Sequence, residues 1–151
     1  MDCEKVYEVD GRHLREAIEL ALSTMENAYA PYSGIKVGAS VISDDGRIYS
    51  GCNIENASYG LTQCAERNAI ASAIAHGAKS IIAVIIVSEL DGIKPCGACL
   101  QVISEFASSK NIKIYIGDKN GEVREVWELK DLLPQAFCIW PKRSNVRAPR
   151  I

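Results

Sequence analysis

Residues 80–88 read SIIAVIIVS, which places seven consecutive apolar residues between two serines. A continuous run rich in Ile and Val is typical of a strand that is covered on both faces, because a strand with one wet face would alternate apolar and polar residues. The run is far shorter than the ~20 residues that a membrane-spanning helix needs. The sequence therefore predicts a buried central strand at 80–88 and no membrane partner.

Helical patterns lie on both sides of this strand. A helix is predicted at 63–76, with Thr62 as its capping residue, and another at 96–107, beginning beside Pro95. A third helix is predicted earlier in the chain, at 13–30, because its apolar residues recur at helical spacing. The central strand is therefore expected to have helices to pack against.

Shorter strand patterns complete the predicted sheet. Four further segments have the length and composition of strands: 36–42, 47–52, 112–117 and 122–127. The first two are joined by the hairpin turn Asp44-Asp45-Gly46, and a short helix is predicted at 129–133. Strands that alternate with helices predict an α/β fold, a three-layer α/β/α sandwich with a central mixed sheet. We expect one domain over 1–151, with residues 138–151 as a basic C-terminal tail.

The composition limits the class of protein. Apolar residues make up 48% and charged residues 24%, which are ordinary values for a globular domain. Residues 138–151 carry four basic residues and no acidic one, so residues 1–137 carry a net charge of −6. An acidic body binds polyanions poorly, and we expect no nucleic-acid partner. The first residues lack the basic and then apolar pattern of a secretory signal, so we expect a cytoplasmic location.

Two short motifs place cysteines at the starts of predicted helices: Cys64-Ala65-Glu66-Arg67 and Pro95-Cys96-Gly97-Ala98-Cys99. Free N–H groups and the helix dipole at such positions favour the thiolate, the form that binds metal. Three protein ligands with a position left for water are typical of catalytic zinc, whereas structural zinc has four protein ligands. The sequence therefore predicts a zinc site at Cys64, Cys96 and Cys99. Candidates for a fourth ligand, none in a second paired motif, are Cys3, Cys52, Cys138, His13 and His76.

Two charged residues adjoin the predicted metal ligands. Three thiolates around a divalent cation leave a local charge of −1, which a nearby cation should offset. Arg67 follows Cys64 by three residues and can donate hydrogen bonds to the ligand sulfurs, although it could also be an ordinary surface arginine. Glu66 can lean over the remaining coordination position and carry protons between water and a nitrogen atom.

At these residues the sequence resembles the cytidine deaminase family, particularly its small homotetrameric branch with three cysteine ligands. The resemblance implies zinc-dependent hydrolysis of cytidine and deoxycytidine to uridine and deoxyuridine, a step of pyrimidine salvage, with one zinc per chain. Six blocks keep the family's order between about residue 12 and Phe137: Ala28-Tyr29-Ala30-Pro31-Tyr32-Ser33, Lys36-Val37-Gly38-Ala39, Gly51-Cys52-Asn53-Ile54-Glu55-Asn56-Ala57, Cys64-Ala65-Glu66-Arg67, Pro95-Cys96-Gly97-Ala98-Cys99 with Gln101, and Leu132-Leu133-Pro134.

The resemblance also implies roles for single residues. Asn53 and Glu55 would bind the sugar, with Glu55 accepting a hydrogen bond from the 3′-hydroxyl, so that a free nucleoside fits better than a nucleotide. The backbone at Ala65 would read the base edge. Glu66 would take a proton from water and deliver protons to N3 and to the departing amino group. Phe137 would stack on the pyrimidine in the pocket of a neighbouring subunit of a homotetramer.

Two positions depart from the family pattern. Ile35 stands where a Phe is usual, so an apolar wall of the substrate site is kept without a ring. Leu100 stands where an Arg usually follows the second Cys of the second motif. These departures keep a related enzyme possible, a deaminase of a modified cytosine nucleoside such as blasticidin S. A zinc-stabilised binding module without turnover is the alternative from another class, and nucleic-acid editing is disfavoured by the acidic body and by Glu55.

Overall fold

A five-stranded mixed sheet forms the middle of the protein. The computed structural model describes residues 8–138. Its strands lie in the order β2-β1-β3-β4-β5; β3 and β4 run parallel, and the other neighbours are antiparallel. The strands are β1 (Val37–Ser43), β2 (Ile48–Cys52), β3 (Ile81–Ser88), β4 (Lys113–Gly117) and β5 (Val123–Glu128). The predicted strands and the mixed sheet are therefore confirmed.

Helices cover both faces of this sheet. One face packs against α1, and the other against α2 and α3. The helices of the described residues are α1 (Gly11–Met25), α2 (Ala65–Ala75), α3 (Gly97–Phe106) and the short α4 (Leu129–Leu132), with a 3-10 turn at Tyr59–Leu61. None of the helices within residues 8–138 is long and apolar enough to cross a membrane. The predicted three-layer α/β/α sandwich is confirmed.

The central strand β3 supplies both hydrophobic cores, as its continuous apolar sequence predicts. Ala83, Ile85 and Val87 pack toward α1, whereas Val84 and Ile86 pack toward α2 and α3. All five are fully buried. Burial of a Val or Ile side chain stabilises a fold by about 1.5–3 kcal/mol, so this strand stabilises the sheet through both of its faces.

A glycine sets how closely α2 lies on the sheet. A Cβ atom on Gly51 of β2 would lie 2.5 Å from the backbone nitrogen of Ala69 and 2.7 Å from the carbonyl oxygen of Ala65. Such distances are below any van der Waals contact, so only glycine allows this approach. Because Ala65 opens α2, the contact fixes the start of the helix where two predicted site residues lie.

The helix predicted at 13–30 is too long at its C-terminal end. α1 ends at Met25, and Tyr29 instead pairs with the segment that follows β2, through Tyr29 N–H to Asn53 O at 3.0 Å and Glu55 N–H to Tyr29 O at 2.8 Å. These long-range backbone hydrogen bonds prevail over the helical pattern of the local sequence.

Two predicted helix starts are also corrected. Cys64 is the N-cap residue of α2. Thr62, which was predicted as the cap, lies two residues earlier, and its carbonyl accepts a hydrogen bond from the side chain of Arg67. Cys96 is the N-cap residue of α3, so that Pro95 lies just outside the helix. Cys3 and residues 139–151 of the predicted tail lie outside the described residues.

Candidate metal centre and adjoining cavity

The starts of α2 and α3 bring three thiols together. Cys64 and Cys96 are the N-cap residues of the two helices, and Cys99 lies in the first turn of α3. The Sγ atoms of Cys64 and Cys96 are 4.0 Å apart, and those of Cys96 and Cys99 are 3.5 Å apart. Neither N-cap thiol bonds to the backbone of its own helix, so both remain free to bind a metal.

The spacing of these thiols fits zinc. Tetrahedral zinc with Zn–S bonds of about 2.3 Å requires S···S separations of about 3.8 Å, and the observed distances lie on either side of that value. All three Sγ atoms lie within 4.8 Å of one another. Residues 8–138 contribute no fourth Cys, His, Asp or Glu to the cluster. Three ligands with a position left over match the predicted catalytic type of site.

The other candidate ligands lie elsewhere. His13 Nε2 is 2.6 Å from Gly46 O, and His76 Nδ1 is 2.7 Å from Ser72 O. Cys52 and Cys138 are free thiols outside the cluster.

The pKa values of Cys64 and Cys99 shift in opposite directions. Hydrogen bonds from Cys99, Arg67 and Cys96, in that order of size, lower the pKa of Cys64 to about 5 against the effect of its burial. The hydrogen bond with Cys64 and then burial raise the pKa of Cys99 far above its usual value. Of these two thiols, Cys64 is therefore the one whose deprotonated form the cluster favours, whereas deprotonation of Cys99 is disfavoured.

Arg67 is partly buried and lies against the cluster. Its Nη2 atom donates to Thr62 O at 2.9 Å and lies 3.8 Å from Cys64 Sγ. Its Nε atom is buried without a hydrogen-bond partner among the described residues. This geometry places the guanidinium charge beside the sulfur of Cys64.

Glu66 is buried in the wall of a cavity next to the thiols. Only 4% of its surface is exposed. Burial, with a further contribution from the charge of Cys64, raises the pKa of Glu66. A buried carboxyl group with a raised pKa, beside a metal site, has the properties of a proton carrier.

The cavity next to Glu66 has a volume of about 240 Å³. A larger cavity of about 480 Å³ lies elsewhere, between the start of the described chain and β4, and contains none of the predicted site residues. The smaller cavity is therefore the candidate site on chemical grounds. Seven residues predicted from sequence line it: Ile35, Asn53, Glu55, Cys64, Ala65, Glu66 and Cys96.

Asn53 and Glu55 both contact the segment at 33–37 that forms one wall of the cavity. The Asn53 side chain accepts from Val37 N–H at 2.9 Å and donates to Ile35 O at 2.8 Å. The Glu55 carboxylate is 4% exposed and accepts from the backbone and the hydroxyl of Ser33. Asn53 therefore shapes the wall, and Glu55 presents a charge to the cavity.

Phe137 is not brought into this cavity. Its side chain is 75% exposed, and its backbone is held by Gln101, whose side chain donates to Phe137 O at 2.9 Å and accepts from Phe137 N–H at 3.2 Å. Leu100, on the same helix as Gln101, is buried in the core between α2, α3 and the sheet. Leu100 therefore packs in the core at the position where the family usually has an Arg. Within residues 8–138, Arg67 is the arginine that contacts the thiols.

Six lining residues were not predicted as site residues from the sequence: Ser33, Val37, Tyr59, Thr62, Ile93 and Lys94. Ile93 and Lys94 directly precede the Pro95-Cys96 motif, so their position next to a metal ligand was a usable signal. Ser33 lies in the turn two residues before Ile35, within one of the blocks that carry the family resemblance. Tyr59 comes from the 3-10 turn, for which the sequence offered no signal.

Comparison with known proteins places this geometry among related enzymes. Residues 12–115 match the family model described as the cytidine and deoxycytidylate deaminase zinc-binding region. A cytidine deaminase of Halalkalibacterium halodurans is 42% identical over 121 residues, which cover 80% of this chain and 90% of that protein. A cytidine deaminase of Sporosarcina psychrophila is 45% identical over 113 residues, which cover 74% and 82% of the two chains.

Solved structures agree with these matches. The crystal structure of cytidine deaminase from Burkholderia pseudomallei aligns with a TM-score of 0.75 at 45% identity and covers 82% of this chain and 98% of that one. The crystal structure of cytidine deaminase from Mycobacterium tuberculosis aligns with a TM-score of 0.71 at 35% identity and covers 87% of this chain and all of that one.

Proposed function

This chain belongs to the cytidine and deoxycytidylate deaminase family, and we propose that it is a zinc-dependent enzyme that hydrolyses cytidine and deoxycytidine. Water replaces the 4-amino group of the base, so that the products are ammonia and uridine or deoxyuridine. One observation carries this proposal: three thiols at zinc-fitting distances adjoin a cavity whose wall contains the buried carboxyl group of Glu66.

The thiols of Cys64, Cys96 and Cys99 would hold one zinc ion per chain. Zinc held by three protein ligands would lower the pKa of a water molecule at its remaining position. Arg67 would offset the excess negative charge of three thiolates, because its guanidinium lies 3.8 Å from Cys64 Sγ.

Glu66 would move the protons of the reaction. Its burial raises its pKa, so the carboxylate accepts a proton more readily than an exposed Glu does. Glu66 would take one proton from the attacking water and give it to ring nitrogen N3. It would then take the second proton of that water, from the hydroxyl group added at C4, and give it to the departing amino group. Each proton that the water loses therefore returns to the substrate or to ammonia, and no external acid is required.

The cavity walls would select a nucleoside. Ile35 supplies an apolar surface for the base, and the backbone at Ala65 can read the base edge. Asn53 holds the wall in place through its two backbone contacts. The carboxylate of Glu55 would accept a hydrogen bond from the 3′-hydroxyl of the sugar. A phosphate at that position would meet like charge, which disfavours nucleotides and nucleic acid.

We further propose a homotetramer in which each cavity is completed by Phe137 of a neighbouring subunit. Phe137 is 75% exposed in the single chain, so it is available for contact with a neighbouring subunit. Other exposed apolar side chains lie in segments that lead into the cavity: Tyr29, Tyr32, Ile54, Tyr59 and Leu61. Tyr32 and Tyr59 contact edge to face, with centroids 6.3 Å apart.

The reaction would belong to pyrimidine salvage in the cytoplasm. The five cysteines of residues 8–138 are all free thiols, which fits a reducing compartment. A second candidate substrate is a cytosine nucleoside with a modified sugar, such as blasticidin S. Ile35 keeps this alternative open, because it leaves the wall without the aromatic ring that the family usually has there, whereas Asn53 and Glu55 favour cytidine.

A substrate panel tests the proposal. Purified protein with one zinc per chain should convert cytidine and deoxycytidine, followed by the ultraviolet change to the uracil products, and should act weakly on free cytosine, which has no sugar. Preferential turnover of blasticidin S would favour the second candidate. Binding of zinc and cytidine without any turnover would contradict the proposal and would support a non-catalytic zinc module.

A further inference from the structure

Glu55 is a buried carboxylate that takes its hydrogen bonds from one residue. The N–H of Ser33 lies 3.1 Å from both Oε1 and Oε2 of Glu55, and the Ser33 hydroxyl donates to Oε1 at 2.6 Å. The ion pairs within residues 8–138 do not include Glu55. Ser33 is therefore the residue that fixes the orientation of this charge.

The Ser33 hydroxyl also bonds to the cavity wall. It accepts from Ile35 N–H at 3.1 Å while it donates to Glu55. Between Ser33 and Ile35 the chain turns at Gly34. The φ of Gly34 is 71°, in the left-handed region, and its N–H donates to Ala30 O. A single hydroxyl thus connects the turn, the apolar wall and the carboxylate.

The two carboxylate oxygens of Glu55 differ in how many further hydrogen bonds they can accept. Oε1 receives two donors, whereas Oε2 receives only the shared N–H of Ser33. An ionised carboxylate can accept about four hydrogen bonds, so Oε2 has the greater capacity for a donor from the cavity. Removal of the Ser33 hydroxyl would free Oε1 and allow the carboxylate to rotate.

We propose that Ser33 is a positioning residue for sugar recognition. It holds the Glu55 carboxylate so that Oε2 accepts a hydrogen bond from the 3′-hydroxyl, and it thereby sets the preference for nucleosides that carry this hydroxyl. The inference rests on the proposed function, in which Glu55 binds the sugar.

Two substrates that differ only in the 3′-hydroxyl, 2′-deoxycytidine and 2′,3′-dideoxycytidine, provide the test. For Ser33→Ala, we expect kcat/KM for 2′-deoxycytidine to fall about tenfold or more, mainly through KM, because a hydrogen bond to a charged group is weakened. For 2′,3′-dideoxycytidine the fall should be less than about threefold, because no 3′-hydroxyl bond exists to lose. Ser33→Thr keeps the hydroxyl and should restore the preference.

A binding measurement supplements the kinetics. The dissociation constants of 2′-deoxyuridine and 2′,3′-dideoxyuridine, measured by calorimetry, should show the same loss of preference for Ser33→Ala without any dependence on turnover. If Ser33→Ala does not fold, Ser33→Cys provides a weaker donor of similar size and should show a smaller loss of preference in the same direction. Equal losses on both members of a pair would assign Ser33 a purely structural role and overturn the inference, as would no loss at all.

Glu55→Gln separates this inference from the proposed function. If Glu55→Gln loses the preference for the 3′-hydroxyl and Ser33→Ala does not, only the role of Ser33 is wrong. If Glu55→Gln weakens both substrates equally, Glu55 does not bind the 3′-hydroxyl, and the sugar-binding part of the proposed function falls with the inference.

Discussion

Nη2 of Arg67 lies 3.8 Å from Sγ of Cys64, one helical turn away on α2. The same atom donates to the carbonyl of Thr62 at 2.9 Å, which holds the guanidinium toward the start of the helix. The hydrogen bond from Arg67 helps lower the pKa of Cys64 to about 5, after the larger contribution of Cys99. Arg67 therefore places a positive charge beside the thiol cluster, where we propose that it offsets the negative charge of the zinc ligands.

Replacement of Arg67 tests this compensation. Arg67→Ala should lower zinc affinity or turnover about 10- to 100-fold, because a residue that contacts a metal ligand without binding the metal has effects of this size. The fold should persist, since both cores remain intact. Zinc competition and kcat measure the effect, with the exposed Arg15→Ala on α1 as a matched control. Equal behaviour of the two variants would show that the helix N-termini alone are enough to tune the thiols.

Zinc binding should depend on pH in a defined direction. In the metal-free protein the pKa of Cys99 is raised and that of Cys64 is about 5, so zinc must displace the proton of Cys99 between pH 6 and 8. Zinc affinity should then rise about tenfold or more per pH unit over this range. Competition with a chromophoric chelator, corrected for its own titration, measures the slope.

The matched control for this slope is Cys52→Ser. The Cys52 thiol lies outside the cluster, so its loss should leave the slope unchanged. A zinc affinity that does not vary from pH 6 to 8 would mean that the cluster holds no displaceable proton.

Gly51→Ala should destabilise the protein by about 3 kcal/mol or more, because a Cβ atom would overlap the backbone of α2 and force the helix outward. Gly60→Ala is the control, since a Cβ atom there meets no heavy atom within 4 Å. Urea denaturation of both variants measures the difference in the free energy of unfolding. Similar midpoints would refute the close approach of β2 and α2.

Phe137 allows a test of shared cavities. Phe137→Ala should lower turnover about tenfold through lost stacking, and Glu66→Gln should be inactive. Assemblies formed from both variants would contain cavities with an intact Glu66 and an intact Phe137 from different chains, so their activity should exceed the mean of the separate variants several-fold. No gain on co-assembly, or a fully active monomer in sedimentation, would exclude sharing.

Much of the fold was predictable because it depends on local patterns. The apolar run at 80–88 identified the strand that supplies both cores, and the hairpin turn at Gly46 identified the antiparallel pair. The end of α1 was not predictable, since Tyr29 leaves the helix to pair with residues more than 20 positions later. The predicted start of α2 was also wrong. Cys64 and not Thr62 is the N-cap residue, and the carbonyl of Thr62 accepts a hydrogen bond from Arg67.

The candidate site also has a part that local sequence patterns predict and a part that they do not. Cys96 and Cys99 lie within one helical turn, so their pairing followed from spacing, and Cys64 was added because it too stands at the start of a predicted helix. The contact between Ser33 and Glu55 joins residues 22 positions apart, and no local pattern reports it. Long-range side-chain contacts of this kind become visible only in the folded structure.

The central claim is that this protein deaminates cytidine with Glu66 as its proton carrier, and one comparison tests it most directly. Wild-type protein and Glu66→Gln, each loaded with one zinc per chain, are incubated with cytidine, and uridine formation is followed by ultraviolet absorbance. We predict conversion by the wild type and a rate about 10²- to 10⁴-fold lower for the variant, the range that general acid–base catalysis contributes. Equal rates, or a zinc-loaded wild type that forms no uridine, would contradict the account.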